Sequence, residues 1–451
     1  MTDFLLAESP ALSWSPDGKW LALAAREPPG ANGIFLIPVE RGEKRRLTSN
    51  PAGFDYAPAF SPDARFLAYA SCGSLFSCDV HLLELGPGQT PKGQPRRLTQ
   101  QGGRISGIAW TADGRSIVYS TSLDADARPY LWRISVSGSA EPERLELAGS
   151  RARNPAIPRE GNRLAYAQGG PDSDIWKWDE GAAVQSFISS TLRDDSPQFS
   201  PDGTRIAFAS YRSGGGNEIW VCGRDGSNPV QLTNGLGRHQ GTPRWSPDSR
   251  FIVFDSQGED GHWDIYLIDA AGGQPRRMTA EPSDEFIPSF SRDGQWIYLA
   301  SDRTGRIEIW RIPSRGGEAA QVTNNRGLVA FESYDGKTLY YTKAGSGRPT
   351  RGPYPLFAKS TAGGPERQVL DSVMSGAFFP VEGGIYYIAD AGTDGAYPLL
   401  YFDFATGKSR MLTRIEAQPH SGLSVSPDRK TILFSVAKPI SFDLMLIENF
   451  R

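Results

Sequence analysis

The sequence predicts an all-β fold, a β-propeller of four-stranded blades. Three observations carry that reading: one short pattern recurs about ten times in 451 residues, its spacing is roughly 42 to 50 residues, and two further strand-like runs follow most copies. A period in this range is that of one propeller blade.

The copies begin with LSWSPDGKWLALAA at Leu12, AFSPDARFLAYAS at Ala59, AWTADGRSIVYSTS at Ala109 and AIPREGNRLAYAQ at Ala156. They continue with QFSPDGTRIAFAS at Gln198, RWSPDSRFIVFDS at Arg244, SFSRDGQWIYLAS at Ser289, FESYDGKTLYYTK at Phe331, FPVEGGIYYIAD at Phe379 and SVSPDRKTILFSV at Ser424. Strand A is the step into Ser-Pro-Asp-Gly, and strand B is the IAFAS run. Strand C is EIW or DIY, as in NEIWVCG, WDIYLIDA and IEIWRIP, and strand D ends in Leu-Thr or a relative, as in NPVQLT, QPRRMT and AAQVT. Runs such as IVFD and IYLA are apolar on both faces, as expected of strands sandwiched between neighbouring sheets. Helical spacing is not sustained, and 50 Gly and 34 Pro interrupt most windows.

Such units stack because one sheet cannot cover both of its apolar faces, whereas a ring covers them and leaves only short edges. The last copy runs through SFDLMLIENFR and stops after its C strand, so an earlier segment must supply its outer strand. If AAVQSFISS, residues 182–190, is the donor, residues 183–451 form a six-bladed propeller and residues 1–182 form four blades of an incomplete or open one. The alternative donor is the N-terminal DFLLA, which closes all copies into one ten-bladed ring. The six-plus-four partition is the expectation.

Ser-Pro-Asp-Gly has a structural account: Pro presets φ, Asp bonds locally to the backbone, and Gly accepts the positive φ of a tight turn. A catalytic carboxylate needs one special environment. Asp17, Asp63, Asp113, Asp202, Asp248, Asp293, Asp335 and Asp428 hold the same place in successive copies, so they are read as hairpin residues.

Composition narrows the function. The formal charge is −3 with both signs interspersed, which leaves no basic stripe for nucleic acid. No run of about 18 apolar residues spans a membrane. The start, MTDFLLAESP, lacks the basic and long apolar regions of a signal peptide, so the chain as written is expected in the cytoplasm. Three cysteines are too few for a disulfide framework. Cys72 and Cys78 flank GSLFS and could face each other across a hairpin, but free thiols in a reducing cytosol are the expectation. Nucleophile-elbow, zinc-pair and Walker motifs do not occur, so no catalytic residue, metal or cofactor is assigned. The four histidines, His81, His239, His262 and His420, have no metal-ligand spacing. SDRTGR from Ser301 has the look of a cation loop but falls between strands B and C, where a hydrated turn is expected.

Positions that escape the repeat are free to serve function. The D-to-A connections TLRDDSP, GLGRHQGTP, EPSDEFIP and EAQPHSG differ most. In a propeller these loops lie together around one mouth of the channel. Arg193, Asp194, Asp195, Arg238, His239, Asp284, Glu285 and His420 are therefore expected to form a mixed-charge binding rim.

FSPDG followed by IAF, IYL or IWR, and RRLT resembles the TolB-like, WD-repeat-like propeller repeat over nearly the whole chain. Similar propellers occur in the periplasmic Tol system, ahead of hydrolase domains in prolyl-oligopeptidase-like enzymes, and as sensor halves of bacterial regulators. SNPVQLT, TPRWSPD and DLMLIENFR look most like the propeller region of bacterial winged-helix regulators. No winged helix, kinase motif or membrane anchor precedes the repeats, so the chain is expected to be a sensor portion or a stand-alone relative. As part of a larger protein it would be periplasmic or membrane-tethered. The resulting expectation is a monomeric, non-enzymatic module that binds a protein, peptide or glycan. The rivals are an enzyme or enzyme-gating propeller of the peptidase or polysaccharide-lyase kind, and a structural scaffold.

Overall fold

The computed structural model describes residues 12–27, 31–51, 53–74, 77–122, 129–138, 141–170, 172–214, 216–237, 239–258, 262–343, 352–374, 376–439 and 441–450. These residues form antiparallel strands and two 3-10 turns, Pro87–Gln89 and Glu146–Ala148, with no α-helix among them. No helix among the described residues is long and apolar enough to cross a membrane. Among the described residues nine sheets have four strands and one has three, so the fold is the expected propeller architecture of ten blades.

The repeat is held by three recurring contacts. In the A–B hairpin the Ser200 hydroxyl donates to Asp202 Oδ1 at 2.6 Å, while Asp202 accepts the Thr204 N–H at 2.9 Å. Ser200 in turn accepts the Arg205 N–H at 3.0 Å. The same hydroxyl–carboxylate bond recurs at Asp17, Asp63, Asp113, Asp248, Asp293, Asp335 and Asp428. Ala64, Ser249 and Arg429 take the glycine's place with φ of 61°, 59° and 60°. The Leu-Thr signal marks a second contact: Thr233 accepts the Ile219 N–H at 2.9 Å and donates to Glu218 at 2.6 Å, sealing strand D onto strand C. Thr99, Thr279 and Thr323 repeat it. Third, strand A carries a bulge whose first residue has positive φ and precedes proline, at Ala57, Asn154, Ser196, Thr242 and Ile287. Proline has no N–H to lose at the bulge.

The chain divides into two compact units, Pro171–Pro439 and Met1–Gly170 with Ile440–Arg451. In the unit that contains the N-terminal blades, the first three blades pack in a row through Ile34, Leu67 and Leu83, then Ala68, Trp110 and Tyr119. The fourth joins through Val118, Leu164 and Tyr166. At the ends of this row Leu12 and Trp14, and Phe442, Leu444 and Leu446, stand exposed.

Residues Pro171–Pro439 form six four-stranded sheets in a closed cycle. Ile219 and Phe254 join the first two blades of this cycle, Val253 and Leu299 the next pair, and Ile309 and Tyr341 the next. Leu356 and Phe378 follow, then Ile388 and Phe434, and Ile175, Leu433 and Phe208 complete the circuit.

Closure differs from the expected single donated strand. The last sheet takes A and B from Pro419–Val425 and Thr431–Ala437, but both C and D, Ser173–Asp179 and Gln185–Ile188, come from the start of the unit. Ser173 faces Ala437 and Asp179 faces Thr431 across a seven-residue ladder. Thr431 donates to Asp179 at 2.6 Å, and Lys438 reaches Asp174 at 2.9 Å. The expected C strand of this blade, Ser441–Glu448, instead pairs with Arg163–Gly170 as the third strand of the fourth blade. Two C strands of similar length and pattern are thus exchanged, and which B strand each accepts is set by tertiary packing.

One cysteine expectation is corrected. Strands Phe66–Ser74 and Ser77–Gly86 place Cys72 directly opposite Cys78, and the two form a disulfide with Cα atoms 4.0 Å apart. The hairpin register, which spacing does not give, decides it. Cys222 is a buried free thiol.

Candidate functional site

Each A strand runs along the channel of the six-bladed unit, from a D-to-A loop at one mouth to an A–B hairpin at the other. The expected rim residues divide into three groups at the D-to-A mouth. Asp194 and Glu285 are fully buried inside their own blades. Asp194 meets Arg212 at 2.9 Å, and Glu285 meets Arg303 at 3.1 Å and the Ser283 and Ser301 hydroxyls at 2.6 and 2.9 Å. Burial pushes both carboxyls above their usual range against those partners. The SDRTGR turn thus supplies the internal cation Arg303.

Arg193, Asp195, His239 and His420 come together from three consecutive blades. Arg193 Nε lies 2.5 Å from Asp195 Oδ2. Burial opposes ionisation of Asp195, yet Arg193 and the neighbouring His420 and His239 hold its carboxyl below the usual range. His239 Nδ1 lies 3.0 Å from the Tyr211 hydroxyl, and its ring packs edge-on to Trp263 at 5.0 Å. His420 Nδ1 lies 3.1 Å from the Ser421 hydroxyl, which is 3.3 Å from Ser196 Oγ. Asp284 stands apart, partly exposed, 3.5 Å from His262 Nδ1. Arg238 lies outside the described residues.

At the A–B mouth the same unit holds a cavity of about 510 Å³. Its walls come from the first residue of five repeat copies, Gln198, Arg244, Ser289, Phe331 and Phe379, and from the hairpins beyond them. Three of the six such positions in this unit are tied to the neighbouring blade: Gln198 accepts the Trp245 N–H at 2.5 Å, Ser424 accepts the Phe199 N–H at 2.9 Å, and Ser289 donates to the Ala330 carbonyl at 2.7 Å. Arg244 is different. It is buried, its guanidinium lies 5.3 Å from the Phe331 ring, and its Nη1 donates to the Pro243 carbonyl at 2.8 Å.

Sequence reasoning missed Arg244 and also Asp255. Asp255 fills the place held by Ala209, Ala300 and Ala70 in other copies, so FIVFDS against IAFAS was the available signal. Its Oδ2 accepts the Thr242 hydroxyl and the Ile287 N–H, clamping the bulges of two adjacent blades. Burial pushes its carboxyl above the usual range. Among the described residues no group of three or more His, Cys, Asp or Glu side chains is arranged to hold a metal ion.

With this geometry in place, comparison with known proteins gives a family. The PD40 family, the TolB beta propeller domain, matches residues 6–241 and 234–350. The chain belongs to that family. An uncharacterised protein of Agrobacterium fabrum is 29% identical over 215 residues, covering 44% of this chain and 68% of that protein. The Tol-Pal system protein TolB of Francisella tularensis subsp. mediasiatica is 27% identical over 226 residues, covering 49% of each. The chain thus spans about half the length of that TolB. Among solved structures, TolB from Acinetobacter baumannii is 16% identical, covering 75% of this chain and 76% of that one with a TM-score of 0.33. A Mycobacterium tuberculosis puromycin-hydrolyzing peptidase is likewise 16% identical, covering 70% and 55% with a TM-score of 0.41. The family and the Francisella relative are of the TolB type, and the expected likeness to winged-helix regulators finds no support in these comparisons.

Proposed function

We propose that this TolB-type propeller is a non-enzymatic binding module whose six-bladed unit recognises a protein partner, by a peptide or glycan it presents, at the D-to-A mouth. The observation that carries the reading is the convergence of Arg193, Asp195, His239 and His420 from three blades. Asp195, His239 and His420 are themselves buried, so they fix the shape and charge of the mouth, and the non-repeating loops around them would make the contact. Kinship with a Tol-Pal system protein supports a protein partner. The Cys72–Cys78 disulfide supports the periplasmic alternative over the cytoplasm, since disulfides persist in oxidising compartments.

The test is affinity capture with the full chain against Asp284→Lys and His420→Ala variants of matched thermal stability. Loss of the same captured protein from both variants is expected; undiminished capture by both favours a scaffold.

A second reading has one observation in its favour. Ser421, His420 and nearby Asp195 carry the residue types of a hydrolytic triad, with 3.1 Å between hydroxyl and imidazole. Adjacent positions in one strand fix that pair locally, which is also how a plain polar contact arises. A broad peptidase, esterase and lyase screen separates the two: turnover abolished in Ser421→Ala and His420→Ala contradicts the binding-only reading.

A further inference from the structure

We propose that the A–B mouth of the six-bladed unit is a second binding site, which takes a polypeptide carboxylate, with Arg244 as its anchor. The site lies at the opposite end of the channel from the D-to-A mouth and stands or falls independently of it.

Arg244 is 4% exposed. A buried cation is normally ion-paired, because the desolvation cost of an unpaired charge is large. Among the described residues no carboxylate lies within ion-pair distance of Arg244, and the Pro243 carbonyl is its one hydrogen-bond acceptor. Asp255 offsets the Arg244 charge through space but does not bond it: Oδ2 accepts from Thr242 and Ile287, and Oδ1 is buried without a hydrogen-bond partner. The guanidinium therefore borders the cavity with donors to spare.

The surroundings select the ligand. Trp245, Phe290, Phe331 and Phe379 supply aromatic wall, and Gln198, Ser289 and Ser291 supply polar wall beside it. At the entrance Arg429 meets Glu382 at 3.3 Å, while Glu332 accepts the backbone N–H of Arg292 at 2.8 Å and the Arg292 guanidinium lies over the Tyr334 ring at 5.1 Å. Arg244 in the interior and Arg292 nearer the entrance are both without an ion pair among the described residues, and two such cations beside aromatic wall favour an anion attached to an apolar body. A planar carboxylate matches the guanidinium fork, and Phe331 under the guanidinium leaves that edge available. A volume of about 510 Å³ admits a short peptide end but not a folded domain. The carboxylate is either a chain terminus or an Asp or Glu side chain.

Three fluorescein-labelled peptides test this by anisotropy on the full chain: Ala-Ala-Phe-Leu with a free C-terminus, its C-terminal amide, and the amide of Ala-Glu-Phe-Leu. Saturable binding at up to about 1 mM of the first or third is expected, and the acid-free amide should bind at least about tenfold more weakly. Binding of the first assigns a chain terminus; binding of the third assigns an acidic side chain. Arg244→Met should weaken the binding probe by about 10- to 100-fold, with Arg244→Lys intermediate. Arg244→Met should also leave the melting temperature unchanged or raised, because it removes a buried unpaired charge. That readout separates an anchor from a structural residue. Equal binding of all three peptides, no binding of either acid-bearing peptide, or a lowered melting temperature with unchanged binding overturns the proposal.

Discussion

The Ile287 N–H donates to the Asp255 carboxylate at 2.8 Å, so strand B of one blade holds the bulge of the next. Ile287 is a β-branched residue at φ 54°, a conformation that persists only where its surroundings fix it. Asp255→Ala restores the small residue of neighbouring copies but leaves that N–H unpaired, at a cost of about 1–3 kcal/mol in chemical denaturation.

Asp255 also fixes a pH dependence. Burial holds its folded-state carboxyl above the ordinary value of 3.8. Its contribution is therefore full below that value and is lost as pH rises through the raised folded value. In Asp255→Asn this part of the loss should vanish, read as a flatter melting temperature between acidic and neutral pH. An unchanged slope contradicts the assignment.

Arg212 neutralises the fully buried Asp194 at 2.9 Å. Arg212→Met should destabilise by about 3–5 kcal/mol by stranding that carboxylate. Adding Asp194→Asn should recover a large part of the loss. Additive losses in the urea midpoints would show that Arg212 acts through packing instead of charge.

The hairpin aspartates give the opposite pH sign. Serine or threonine hydroxyls and backbone N–H groups hold Asp17, Asp113, Asp248, Asp293, Asp335 and Asp428 below the ordinary value. In Asp63 and Asp202 the same bonds outweigh a larger opposing effect of burial. Their contribution is full above pH 3.8 and is lost as pH falls through the folded values, which reach about 2 for Asp428. Carboxyl-resolved NMR titration should place all eight below 3.8. A value at or above 3.8 in several copies contradicts the hairpin account.

The repeat was legible because its parts recur: Ser200 and Asp202 close the same hairpin that Ser246 and Asp248 close, and recurrence shows that role without coordinates. What does not recur was hidden. Arg244 is merely the varying first letter of a copy until the A strand is seen to turn that position toward the channel. Asp194 and Glu285 looked like rim residues because loop sequence does not reveal that Arg212 and Arg303 reach back to them. SDIWKWD and SFDLMLIE are both credible C strands, and local sequence is silent on which B strand each joins.

The disulfide closes a segment with a sequence separation of 6 and should contribute about 2 kcal/mol. Without reductant, the denatured protein should take up one alkylating group, at Cys222, and three after reduction. Three without reduction contradicts the bridge.

The exchange of C strands is the central claim, and paired fragments test it most directly. Residues 171–439 contain all twenty-four strands of the six-bladed ring, whereas residues 183–451 lack Ser173–Asp179 and leave Ile432 and Phe434 of the last blade without their partner strand. The first fragment should be soluble and unfold in one cooperative calorimetric transition, while the second aggregates or melts at markedly lower temperature. A cooperative 183–451 fragment beside an unfolded 171–439 fragment would contradict the exchange.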